Sequence, residues 1–110
     1  MTFYLKNKKK IETIFKKGGL VKGKGLLLKA YDFKDGETKF GVSVSKKLFP
    51  SAVKRNLIKR RLRQQVKSSG LIEFCSKGVS FFIIYTSKEI VSSKHIKNSL
   101  QDLSIKFKGF

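Results

Sequence analysis

Acidic residues are scarce: 7 Asp and Glu stand against 26 Lys and Arg, leaving a net charge of +19 over 110 residues. There is one cysteine (Cys75), one histidine (His95), one proline (Pro50) and no tryptophan. Each scarcity excludes something. A lone cysteine makes no internal disulfide and no cysteine-cluster zinc site. Nothing around Cys75 suggests a lowered thiol pKa, so it reads as a small apolar residue in a connector, and His95 reads as a surface residue. Asp32 and Asp35 flank a turn and fit turn chemistry better than metal binding. No pair of acids is spaced for nuclease chemistry, so the expectation is no catalytic side chain and no metal site on the chain itself. The longest apolar run, Val79–Tyr85 with Ser80 inside it, falls far short of the ~18 residues of a membrane span. Met1–Lys6 lacks the apolar core of a secretion signal. Together these absences describe a reduced, cytoplasmic protein with no membrane partner and no small-molecule substrate.

What is present is a core and a strong positive field. Hydrophobic residues make up 40% of the chain, including 10 Phe and 3 Tyr, well above the range of disordered tails. The length is that of one domain, residues 1–110. A charge of +19 repels itself in any compact state, so the balance points to a polyanionic partner, as does a sequence pI near 10.3.

The periodicities give an order of α-β-β-α-β-α. Ile11, Ile14 and Phe15 make one apolar stripe of a helix over Lys8–Lys17, with Asn7 to cap it and Gly18-Gly19 to end it in a left-handed residue. Leu20–Gly25 reads as a loop or an irregular strand start. Leu26–Phe33 and Lys39–Ser45 read as strands joined through Asp35-Gly36, an antiparallel hairpin. Phe40, Val42 and Val44 alternate there with the small, polar Gly41, Ser43 and Ser45. Pro50 suits the first position of a long helix reaching Ser68, with Ile58, Leu62 and Val66 facing the core. Val79–Tyr85 reads as a buried central strand, and Ser92-Ser93 caps a last helix whose Ile96, Leu100, Leu103 and Phe107 share a face. Strand, helix and strand in sequence imply a crossover onto one sheet with helices packed against it, an α+β sandwich.

The long helix carries the chemistry. Lys54, Arg55, Lys59, Arg60, Arg61, Arg63 and Lys67 are seven cations without one acid between Ala52 and Ser68. A solvated helix face mixes signs, because like charges four apart repel. Seven unrelieved cations weaken the helix unless something anionic binds there. Arg55, Lys59 and Arg63 form a stripe, with Asn56, Arg60 and Lys67 along its edge. Guanidinium forks bind phosphate oxygens bidentately, and Lys46-Lys47 stand just before the helix, near the positive end of its dipole.

These residues also resemble a known family. Phe40-Gly41-Val42-Ser43-Val44-Ser45-Lys46-Lys47, followed by Ala52-Val53-Lys54-Arg55-Asn56-Leu57-Ile58-Lys59-Arg60-Arg61-Leu62-Arg63, is similar to the signature of the bacterial ribonuclease P protein subunit. That signature is a GLSVSKK-like strand end running into an AVxRNRIKRxxR helix. The element order, size and charge extend the resemblance over nearly the whole chain. Leu57 departs from it, standing where the family has its second arginine, and the junction Leu48-Phe49-Pro50-Ser51 is one residue longer than the commonest version.

The resemblance implies a protein that joins a large catalytic RNA and contacts the 5′ leader of precursor tRNA. The RNA performs magnesium-dependent phosphodiester hydrolysis and holds most of the Mg2+. It implies a two-layer sandwich like the second domain of ribosomal protein S5, with a left-handed βαβ crossover where chain geometry alone favours a right-handed one. Lys46, Lys47, Arg55, Asn56, Lys59, Arg60, Arg63 and Lys67 are then the RNA-binding set. A cleft between the first helix and the sheet holds the leader, with Ile11, Phe15, Leu28 and Phe40 flanking it and Ser43 and Ser45 on its floor. Flat apolar surfaces stack bases without demanding a sequence. Ile11 and Phe15 have a second reading as core residues, since a short helix must bury something. Two other classes share the basic helix, a structural RNA-binding module such as a small ribosomal protein and a nonspecific DNA-compacting protein. Neither accounts for the SVSKK junction.

Overall fold

The computed structural model describes residues 5, 7–68, 71 and 78–106. The connector carrying Cys75, the Ser69-Gly70 helix end and Phe107 lie outside the described residues. Helix α1 spans Lys8–Lys17, strands β1, β2 and β3 span Gly19–Lys22, Leu26–Asp32 and Phe40–Val44, helix α2 spans Ala52–Ser68, strand β4 spans Val79–Tyr85 and helix α3 spans Ser93–Lys106.

Local signals explain the helices. The Asn7 side chain accepts from the backbone N–H groups of Lys9 and Lys10 at 3.0 and 3.3 Å, satisfying two of the donors a helix start leaves open. At α2 the cap is Ser51, whose Oγ accepts from Lys54 N at 3.4 Å. Pro50 therefore sits outside the helix and not at its first position. Ser92 does the same for α3, accepting from His95 N at 3.2 Å. Gly18 was expected to be left-handed but is extended (φ −67°, ψ 148°), carrying the chain straight into β1. Its need for glycine is steric: a Cβ there would lie 2.3 Å from the Ile14 carbonyl oxygen and 2.9 Å from that of Ala30.

The sheet order is β1-β2-β4-β3, which corrects the expected hairpin. β2 does not pair with β3. Instead β4 runs between them, antiparallel to β2 (Leu28 opposite Ile83, Lys29 opposite Phe82) and parallel to β3 (Gly41 opposite Phe82, Ser43 opposite Ile84). The physical reason is hydrophobic content: VSFFIIY is the most apolar strand, and inside the sheet both of its edges are paired while one face is fully buried. The hairpin partner of β2 is β1, in the segment read as a loop or an irregular strand start. β3, α2 and β4 form the parallel crossover, and Leu5 extends the β3 edge by donating its N–H to the Phe40 carbonyl at 2.8 Å.

The mixed α+β sandwich packs the sheet against α2 and α3. Leu26, Leu28, Ala30, Phe40, Val44, Phe81, Ile83 and Tyr85 meet Ile58, Leu62 and Val66 of α2 and Ile96, Leu100 and Leu103 of α3 in one buried core. The Phe40 and Phe81 rings stack within it, 5.6 Å apart and 12° from parallel. α1 covers part of the other face. Phe15 packs on Phe82, which points away from the side of β4 occupied by Phe81 and Ile83, and Ile14 is fully buried beneath the helix. Among the described residues no helix is long and apolar enough to cross a membrane.

Candidate nucleic-acid interface

Burying Ile58, Leu62 and Val66 fixes the rotation of α2 and therefore what it shows outward. At 100° per residue the opposite side is centred on Val53, Asn56, Arg60, Arg63 and Lys67. All five are exposed. Lys59 is half-buried at the border of this face. Arg55, placed by the sequence in the stripe with Lys59 and Arg63, lies instead toward the core; its guanidinium Nη1 donates to the Phe49 carbonyl at 3.4 Å and buttresses the turn ahead of the helix. Arg61, outside the expected RNA-binding set, ties α2 to the start of α3 by donating to the Val91 carbonyl at 3.0 Å. The cationic face is thus rotated away from the Arg55 edge, toward Asn56 and Arg60.

Lys46 and Lys47 are both exposed on the turn between β3 and α2. Ser45 Oγ accepts from Lys47 N at 3.1 Å and the Ser45 carbonyl accepts from Phe49 N at 3.0 Å, so this turn is held by the Ser45 side chain and backbone together. No acid occurs between Phe40 and Ser68, so the turn and helix carry no counter-charge of their own in sequence. Such a surface attracts phosphates and releases their counterions on binding.

The second surface lies between α1 and the sheet. Phe15 is 37% exposed, with its ring 5.2 Å from that of Phe82 at 54°. Lys29 lies beneath it, donating Nζ to the Phe15 carbonyl at 2.9 Å and sitting 5.6 Å from the ring centroid. Ile11 is half-buried on the same helix, so Ile11 and Phe15 pack inward and still present surface. The register places Leu27, Ile84 and Ser43 side by side beyond Phe82, all half-buried. Gly41 keeps the floor low at that point, because a Cβ there would come within 2.3 Å of the Phe82 ring. Ser45, two residues beyond Ser43, is exposed at the mouth.

Leu28 and Phe40 are not in this cleft. Both are fully buried on the α2–α3 side of the sheet, and strand alternation puts them opposite Ser43 by parity. The residues that occupy their expected place are Phe82, Ile84, Leu27 and Lys29. The alternation of VSFFIIY and LLLKAYD contained that signal, since one strand face carries Phe81 and Ile83 and the other Phe82 and Ile84.

At its far end α1 is pinned by Lys10, which pairs with Asp35 in the β2–β3 connection and lies 5.1 Å over the Phe33 ring. The Lys10 ammonium holds the Asp35 carboxyl below the usual carboxylate range, helped by the Glu37 backbone N–H. Among the described residues no group of three or more His, Cys, Asp or Glu is placed to hold a metal ion.

Comparison with known proteins agrees with this geometry. The sequence profile of the family Ribonuclease P matches residues 2–108. The chain is 36% identical over 64 residues to the ribonuclease P protein component of Picosynechococcus sp., a stretch covering 58% of this chain and 55% of that protein; the match spans about half of that relative's length. It superposes on the RNase P protein of Staphylococcus aureus with a TM-score of 0.80 at 27% identity, covering 98% of this chain and 97% of the other. The Thermotoga maritima RNase P protein shares the fold, with a TM-score of 0.78 at 20% identity over 97% and 96% of the two chains. With a profile match across nearly its whole length, this chain belongs to the ribonuclease P protein family.

Proposed function

We propose that this protein is the RNA-binding subunit of a ribonuclease P holoenzyme, docking on the catalytic RNA through α2 and Lys46-Lys47 and receiving the 5′ leader of precursor tRNA between α1 and the sheet. The observation that carries the reading is the outward face of α2: a helix with seven cations and no acid, rotated by its buried Ile58, Leu62 and Val66 so that Asn56, Arg60, Arg63 and Lys67 face outward together. Lys59 borders that face, and Lys46 and Lys47 extend it. Cations in this arrangement offset the repulsion between RNA phosphates that otherwise demands divalent ions.

Among the described residues no group of three or more His, Cys, Asp or Glu gathers into a dedicated cage for magnesium. The hydrolysis belongs to the RNA, with Mg2+ held mainly by it, and the protein's own contribution is positional. The half-buried Phe82, Ile84 and Leu27 offer a flat apolar floor, and Phe15 stands as a wall on which a base can stack. Lys29 supplies a cation at the same place, and Ser43 and Ser45 supply hydroxyls. A single strand fits such a groove without sequence preference.

Reconstitution with a bacterial ribonuclease P RNA at low magnesium tests this. The protein should stimulate removal of the leader, and binding to precursor tRNA should exceed binding to mature tRNA. No stimulation, together with duplex-DNA binding of equal strength, would overturn the reading in favour of a DNA-compacting protein. RNA binding without any leader dependence would favour a purely structural module.

A further inference from the structure

The cationic face of α2 has an apolar centre. Val53 is 80% exposed, and Leu57 lies one turn further on the same side, half-buried. With Asn56, Arg60 and Arg63 they line an open depression of about 570 Å³, within the ~300–1,000 Å³ span of small-ligand sites. A single exposed valine is ordinary. Two branched apolar side chains on adjacent turns, set in a concavity bordered by guanidiniums, are not what phosphate binding alone requires, because an apolar floor desolvates a phosphate and returns nothing. The composition suits a ligand that is anionic at its edges and flat and weakly polar at its centre.

A nucleotide has that make-up, and its base must be out of a helix to reach the floor. In A-form duplex RNA the major groove is too narrow and deep for side chains to read, while bases in loops and bulges are splayed and accessible. We propose that Val53 and Leu57 seat one unpaired nucleotide of the catalytic RNA, with its base against the two side chains. Asn56 hydrogen-bonds the base edge, and Arg60 and Arg63 take the flanking phosphates. The inference rests on the reading of α2 as the RNA-binding face and adds to it the kind of RNA element bound there.

Salt dependence separates the two. Contact with a phosphate changes the slope of log affinity against log salt by about 0.7–0.9 per contact, whereas an apolar contact changes affinity without changing the slope. In the full-length protein bound to ribonuclease P RNA, Val53→Ser and Leu57→Gln should each lower affinity about 3- to 10-fold with the slope intact. Arg60→Ala should reduce the slope. Val53 is exposed enough that its variant should melt like the parent, which keeps the test open even if Leu57→Gln destabilises the fold. A photo-crosslinking side chain at position 53 in the assembled holoenzyme should label an unpaired nucleotide. Parent-like affinity for Val53→Ser beside a reduced slope for Arg60→Ala would overturn this inference and leave the RNA-binding reading standing. A crosslink to duplex RNA, or to protein, would overturn it as well. No effect from any of the three substitutions would overturn both.

Discussion

Replacing Phe15 by alanine tests the proposed leader groove against a core role for this residue. Its ring is 37% exposed and rests at an angle on Phe82, so the substitution removes only part of a buried aromatic. Truncating a fully buried Phe costs ~3–5 kcal/mol. Scaled to the buried share and to a site open to water on one side, Phe15→Ala should cost about 1–2 kcal/mol, a drop of roughly 4–16 °C in Tm for a domain of this size. Phe40 supplies the contrast: it is 0% exposed and stacked on Phe81, and Phe40→Ala should cost the full ~3–5 kcal/mol, much of the total stability of a small domain. Binding should show the reverse order. Loss of one stacking platform is worth ~1–3 kcal/mol, so Phe15→Ala should weaken holoenzyme affinity for precursor tRNA about 5- to 150-fold while mature tRNA binds as before. Phe40→Ala, corrected for its folded fraction, should keep the parent's affinity for each tRNA form. Thermal melts and equilibrium binding on the same preparations, with catalytic RNA present, give both quantities. Equal weakening toward both tRNA forms, or a melting shift for Phe15→Ala as large as that for Phe40→Ala, would refute the groove assignment.

Three further outcomes follow from the same geometry. Gly41→Ala should force the Phe82 ring out of place, because the new Cβ would lie 2.3 Å from it; about 1–3 kcal/mol of stability should be lost, with leader affinity falling beyond what the folded fraction explains. Asp35 has its folded-state pKa lowered by Lys10, so its pairing contributes stability above the unfolded carboxylate pKa and loses it as pH falls through the lower folded value. Urea melts from pH 7 down to pH 3 should therefore show Asp35→Asn less stable than the parent by up to ~1 kcal/mol near neutrality, with the difference closing in acid. Ser51→Ala removes the α2 cap and should cost about 1 kcal/mol by chemical denaturation, with RNA affinity recovering once the folded fraction is accounted for.

Local chemistry was legible along the chain. The spacing of Ile11, Ile14 and Phe15 with the Asn7 cap gives α1 the same bounds in sequence and structure, and Ile58, Leu62 and Val66 mark the buried side of α2 in both. Helix periods and caps involve residues three or four apart, so nothing distant is needed to read them. The charge of α2 is equally local, and the SVSKK-to-helix junction carried the family on its own. The exact facing of the cations was less legible, because Arg55 falls close to the buried sector and spends its guanidinium on the Phe49 carbonyl.

Strand order was a different kind of question. Asp35-Gly36 between two alternating runs satisfies every local rule for a hairpin, yet β4 arrives from the far side of α2 and takes the place between β2 and β3. That outcome depends on which arrangement pairs VSFFIIY along both edges and buries its Phe81 and Ile83 face, a comparison between whole packings and not between neighbouring residues. The cleft follows from the same choice. Alternation sorted each strand into two faces by sequence alone, but only the docking of α1 decided which face became the groove. It fell to Phe82, Ile84, Leu27 and Ser43, while Leu28 and Phe40 went to the core beneath α2 and α3. Amino-acid order determines the periodicity, caps and charge of each element, because those energies act within a turn or two; the partners of a sheet and the side of it left open are decided by nonlocal burial, which exists only once the chain has folded.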